Sequence, residues 1–179
     1  MSFLLVLGVS HLRHVLEVGQ TLGFVSSQVA TEVFEAHVAQ HDELFRNGVG
    51  EVSTRARKLV DVTYECLMLG VEQARPGNHL GDVAHAIQRH AERHRYGVVR
   101  DFCGHGLGRL FHDAPEVVHV GKPGTGPELK PGMIFTVEPM INIGRPDVKL
   151  LDDGWTAVTR DRSLSAQFEH SIGITGQGC

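Results

Sequence analysis

A chain of 179 residues with 41% hydrophobic content fits one soluble globular domain. A formal net charge of −4, with Lys and Arg scattered rather than gathered into a stripe, argues against a nucleic-acid partner. Three widely spaced cysteines, Cys66, Cys103 and Cys179, make neither a disulfide framework nor a CxxC knuckle and point to a reducing cytoplasm.

The apolar run Phe3–Leu7 has no basic flank before it and meets His11, Arg13 and His14 soon after. It reads neither as a signal peptide nor, being short, as a membrane span. Thr31–Phe45 has helical character, and His37 and His41, four apart beside Asp42 and Glu43, read as a solvated face. The texture changes near Asn47-Gly48. Ser53 or Thr54 can cap a helix running to about Ala74, with Leu59, Val60, Thr63, Leu67, Val71 and Ala74 at helical spacing. Pro76-Gly77 stops it, and Asn78 is placed to cap a second helix with the stripe Leu80, Val83, Ala84, Ile87 and Ala91. His90 and His94 lie off that stripe and read as a solvated face. After Gly97 come short β-like runs: Val98-Val99, Glu116–Val120, Met133–Ile141, Trp155–Arg160 and Gln167–Thr175. Helices first and strands after predict an α+β fold, two helices covering a mainly antiparallel sheet.

Twelve histidines direct attention to metal chemistry. His105, flanked by glycines in Cys103-Gly-His-Gly-Leu-Gly-Arg109, has a pliable backbone and an unobstructed ring, although such a loop also suits a phosphate nest or a plain turn. His112 follows seven residues later, too far for a two-histidine helical zinc motif. Glu138 interrupts the apolar run Phe135–Met140, and Glu169 precedes Ile172–Ile174. Buried glutamates need a partner or a metal. Singly, Glu138 could pair with Arg109, His105 could be a hydrogen-bonded core ring, and Trp155 reads as a packing residue. Together, one His and two strand-borne Glu suit Mn²⁺, Fe²⁺, Co²⁺ or Zn²⁺, and carboxylates bridging two such ions would hold a hydroxide for attack on a peptide carbonyl. No GxSxG-like elbow surrounds Ser163 or Ser165, which fits a reaction without a serine nucleophile.

The segments CGHGLGRLFHDAP, KPGMIFTVEPMI and DDGWTAVTRDRSLSAQFEHS resemble, in order and spacing, the motifs of type I methionine aminopeptidases of peptidase family M24. The resemblance covers about residues 49–179, and the SAQFEH block separates it from prolidases and aminopeptidase P. It implies the C-terminal half of a pita-bread fold and removal of the initiator methionine from peptides or nascent chains in the cytoplasm, with no membrane or nucleic-acid partner and with room for ribosome association. It implies His105, Glu138 and Glu169 as metal ligands, Gln167 behind them, and His112 and Glu138 as catalytic groups. His112, Phe111 and Trp155 would contact the substrate. The family's site takes two divalent ions (Co, Mn, Fe or Zn) on five ligands, two of them aspartates of the N-terminal half.

Residues 1–48 contain a single aspartate, Asp42, outside any strand-like run, and no clear match for the family's other substrate histidine. They are expected to be an unmatched segment, through a shifted reading frame or poor folding, and the family continues through another strand after Cys179. On this reading at most one ion binds, weakly, and turnover is impaired. The alternative is a catalytically inactive interaction protein or gene fragment on the same fold.

Overall fold

The computed structural model describes residues 52–179. The expected Thr31–Phe45 helix, together with His11, His14, His37, His41 and Asp42, lies outside the described residues.

Helix α1 spans Thr54–Gln73, with the Ser53 hydroxyl accepting from the Ala56 N–H at 3.2 Å, as a capping serine does. Its buried face is Leu59, Val60, Val62, Thr63, Cys66, Leu67 and Gly70, close to the stripe read from the sequence. Helix α2 spans Leu80–Arg93 and buries Leu80, Val83, Ala84, Ile87 and Ala91. Its N-cap is His79, not Asn78: the Asp82 carboxylate accepts from the His79 N–H at 2.7 Å. The Asn78 side chain turns back instead and donates to the Gln73 carbonyl at 2.8 Å, closing the end of α1. The two helices approach closely at Gly70, where an added Cβ would sit 2.7 Å from Ile87 Cδ1.

Nine short strands follow: β1 (Gly97–Val98), β2 (Gly104–Gly106), β3 (Asp113–Val117), β4 (Ile134–Val137), β5 (Met140–Asn142), β6 (Val148–Leu150), β7 (Ala157–Thr159), β8 (Ser165–Gln167) and β9 (His170–Gly173). Every pairing among them is antiparallel, in the orders β3-β2-β4-β9, β1-β5-β8 and β6-β7. Two runs read as single strands are each broken in two. Met133–Ile141 splits at Glu138-Pro139, because proline cannot donate to a ladder. Gln167–Thr175 splits at Phe168-Glu169. The run expected over Glu116–Val120 starts earlier, at Asp113, and leaves the ladder after Val117.

These breaks position the site. Each moves the chain from one sheet to the other, β4 to β5 and β8 to β9, and the flanking strands are paired: Val137 opposite His170, and Met140 opposite Gln167. The two crossings therefore face each other. Phe135, Val137, Ile141, Ala166, Phe168 and Ile172 fill the core against Leu59, Cys66, Leu67, Val83 and Ile87. Tyr64 of α1 meets Phe168 edge-on, with ring centroids 5.4 Å apart.

Candidate metal centre

Glu138 and Glu169 occupy the two facing crossings, and His105 of β2 completes the cluster. One ligand atom from each of the three lies within 4.8 Å of the others. His105 Nδ1 is 3.0 Å from the Gly106 carbonyl oxygen, an acceptor only, so Nδ1 carries the proton and Nε2 keeps its lone pair. That free nitrogen lies 3.8 Å from Glu138 Oε1. A carbonyl behind an imidazole commonly sets the tautomer needed for metal binding.

The backbone around His105 is held tightly. Gly106 packs so close to β3 that an added Cβ would collide with the Ala114 carbonyl, and the register shifts between His105 and Gly106. The His105 N–H donates to Thr136 Oγ1 at 2.9 Å, and that hydroxyl donates to Glu138 Oε1 at 2.7 Å. The Gln167 side-chain N–H donates to Glu138 Oε2 at 3.3 Å. Glu138 thus meets Thr136, Gln167 and His105, and the alternative of an Arg109 ion pair is not what is observed. Burial pushes the Glu138 carboxyl above the usual range, against the opposing pull of Thr136, His105 and Gln167. Burial, and secondarily the charge of Glu138, raises Glu169. Two carboxylates compressed together in a desolvated place, beside neutral hydroxyl and amide donors and imidazoles, form a site short of positive charge. A divalent cation is the group this donor set fits.

Phe111 and His112 stand at the mouth. Both are exposed, with ring centroids 5.5 and 4.4 Å from that of His105. Trp155 sits just before β7 at the tip of the β6–β7 hairpin and is 88% exposed, so it is not the packing residue expected from composition. His119 is a participant the sequence reading passed over. It is 3% exposed, and its Nε2 accepts from the Glu138 N–H at 3.0 Å. Burial lowers its pKa to about 4, which keeps that nitrogen available as an acceptor. The signal was alternation: Val117 and His119 point inward while Glu116 and Val118 point out. His90 and His94 also depart from expectation, being half-buried beside Glu65 rather than on a freely solvated face.

A family model described as metallopeptidase family M24 matches residues 26–176, beginning ahead of Val49, where the resemblance read from the motifs begins. The chain is 47% identical over 171 residues to methionine aminopeptidase A of Synechocystis, covering 96% of this chain and 65% of that protein. The crystal structure of methionine aminopeptidase from Rickettsia prowazekii superposes with a TM-score of 0.71 at 56% identity, covering 73% of this chain and 53% of that one. Prolidase from Pyrococcus furiosus, at 23% identity and a TM-score of 0.54 over 74% of this chain and 33% of its own, shares the fold alone. The chain thus spans about half to two thirds of the length of these methionine aminopeptidases. No helix among the described residues is long and apolar enough to cross a membrane.

Proposed function

Because the chain belongs to metallopeptidase family M24 and carries the C-terminal part of its pita-bread fold, we propose that it contributes His105, Glu138 and Glu169 to a divalent-metal centre that removes N-terminal methionine from peptides and nascent chains. The observation that supports this most directly is the convergence of a proton-free imidazole nitrogen with two desolvated carboxylates. Similarity to methionine aminopeptidases, rather than to prolidases, supports the choice of substrate.

A bound divalent ion supplies Lewis acidity toward the scissile carbonyl. The protein's own groups do the rest. Glu138, steadied by Thr136, Gln167 and His119, presents its carboxylate from a fixed position. His112, exposed beside His105, hydrogen-bonds the substrate and the charge that develops on the carbonyl oxygen, and Phe111 offers the methionine side chain an apolar wall. Trp155 reaches the substrate from the β6–β7 hairpin. Mn²⁺, Fe²⁺, Co²⁺ and Zn²⁺ all suit the donor set, and the cytoplasm supplies the substrate.

Asp42 is the single aspartate between Met1 and Val49, and an ion held by His105, Glu138 and Glu169 alone binds weakly and supports slow turnover. That same observation favours the second reading, an inactive protein on the same fold. Calorimetric titration of the metal-stripped chain with Co²⁺ or Mn²⁺, beside a methionine-release assay on a Met-Ala peptide, tests both points. Binding lost in His105→Ala and Glu169→Gln, with slow methionine release, is expected. Absence of binding in the parent chain would overturn the metal centre, and turnover near that of intact relatives would overturn the impairment.

A further inference from the structure

A second cluster of metal-ligating groups lies on the helical layer and shares no residue with the first. Glu65 of α1 and His90 and His94 of α2 place one ligand atom each within 4.8 Å of the others. His90 Nε2 is 2.7 Å from Glu65 Oε2, and the His90 and His94 rings have centroids 4.9 Å apart. We propose that Glu65, His90 and His94 form a binding site for a borderline divalent transition ion of the Zn²⁺ class, clipping α1 to α2.

The placement is helical geometry. His90 and His94 are four residues apart and project from one side of α2, the spacing at which two imidazoles chelate one ion. Glu65 comes from the facing helix, so an ion held by all three bridges the helix pair. Two nitrogens and one oxygen select Zn²⁺, Ni²⁺, Co²⁺ or Cu²⁺ over Mg²⁺ and Ca²⁺, and leave a fourth position for water. The surroundings assist. Desolvation, then the neighbouring His90 and Lys58, lower the pKa of His94 and keep its ring neutral at pH 7, the form a metal needs. The Tyr96 ring lies tilted beside His94, with ring centroids 6.1 Å apart. His90 is 17% exposed and Glu65 50%, so an ion enters from solvent while both side chains are already directed to one point. The Glu65–His90 hydrogen bond is the metal-free form.

The test uses the full chain, stripped with chelator and titrated with Zn²⁺ while thermal unfolding and bound metal are followed. Parent and Glu169→Gln proteins are expected to bind an ion at the helical site with an upward shift in melting temperature. His94→Gln and the His90→Gln/His94→Gln double variant should lose that ion and that shift. His105→Ala should keep both, which separates this site from the one assigned above. Glutamine preserves the polar contact with Glu65, and circular dichroism at matched temperature confirms folding of each variant. The proposal is overturned if His94→Gln binds Zn²⁺ as the parent does, or if the shift disappears with His105→Ala instead.

Discussion

Thr136 has no exposed surface, and its single hydroxyl serves two clients: it accepts from the His105 backbone and donates to Glu138. Thr136→Val keeps the shape and removes both bonds. The buried His105 N–H is then unpaired, so we expect a loss of about 1–3 kcal/mol in unfolding free energy. Freeing Glu138 should weaken divalent-metal affinity roughly 10–100-fold. Denaturant melts and calorimetry measure the two effects, and unchanged affinity would show that Thr136 serves only the fold. His119 holds the same residue by its backbone, accepting from the Glu138 N–H. His119→Phe fills the volume but offers no acceptor to the Glu138 N–H, and a stability loss of about 1–3 kcal/mol is expected with weaker metal binding. His119→Asn, which can restore an acceptor, should recover part of the affinity. Of these groups Gln167 was named through the family resemblance alone, and the other two were not named. A threonine in a strand looks like any β-former. A histidine between valines looks like a surface residue until the in-and-out alternation of β3 is seen to run on past Val117.

Between α1 and α2 lies Cys66, fully buried, its thiol directed at the Ile87 carbonyl at 3.7 Å. Burial pushes its pKa up to about 12, from 9.0 in an unfolded chain, with the charge of Glu65 adding to the rise. The folded state therefore holds the proton over a range where the unfolded state has lost it. The stabilisation is complete below pH 9 and falls as pH climbs toward 12. Thiolate absorbance at 240 nm should show Cys66 un-ionised in the folded protein at pH 10 and ionised once urea unfolds it. Helix α1 was readable to within a residue, because a long 3.6-residue period with Ser53 before it and Pro76-Gly77 after it admits few alternatives. Most strands fall on runs read from the sequence, but β2 (Gly104–Gly106) and β6 (Val148–Leu150) do not, and the breaks inside the long runs were not drawn. Glu138-Pro139 announced itself through the proline. Phe168-Glu169 carries no such mark, and only pairing with the first break identifies it.

At the scale of the molecule, the candidate centre belongs to no single element. It exists because two sheets exchange strands at one level, with α1 and α2 packed on the strands that make the exchange. The β6–β7 hairpin, by contrast, hangs outside this frame, since β5 and β8 already close on each other at Asn142 and Ser165 and the Ile143 N–H bonds the Leu164 carbonyl at 2.9 Å. Replacing the hairpin residues 148–159 with a short glycine-rich turn should leave metal affinity within about threefold of the parent, a change under 1 kcal/mol. It should remove whatever Trp155 contributes to substrate binding. A collapse of metal affinity on that replacement would show that the hairpin supports the carboxylates after all.

The facing strand crossings also bear on how such a protein can change over generations. Both carboxylates are fixed by where one sheet hands its chain to the other, so a residue gained or lost between Val137 and Met140, or between Gln167 and His170, would move an acid off its mark and put the following strand out of step with its partner. The β6–β7 hairpin from Val148 to Thr159 carries no such obligation. Length variation should therefore be frozen at the crossings and free in the hairpin, leaving substrate preference able to drift while the chemistry stays put.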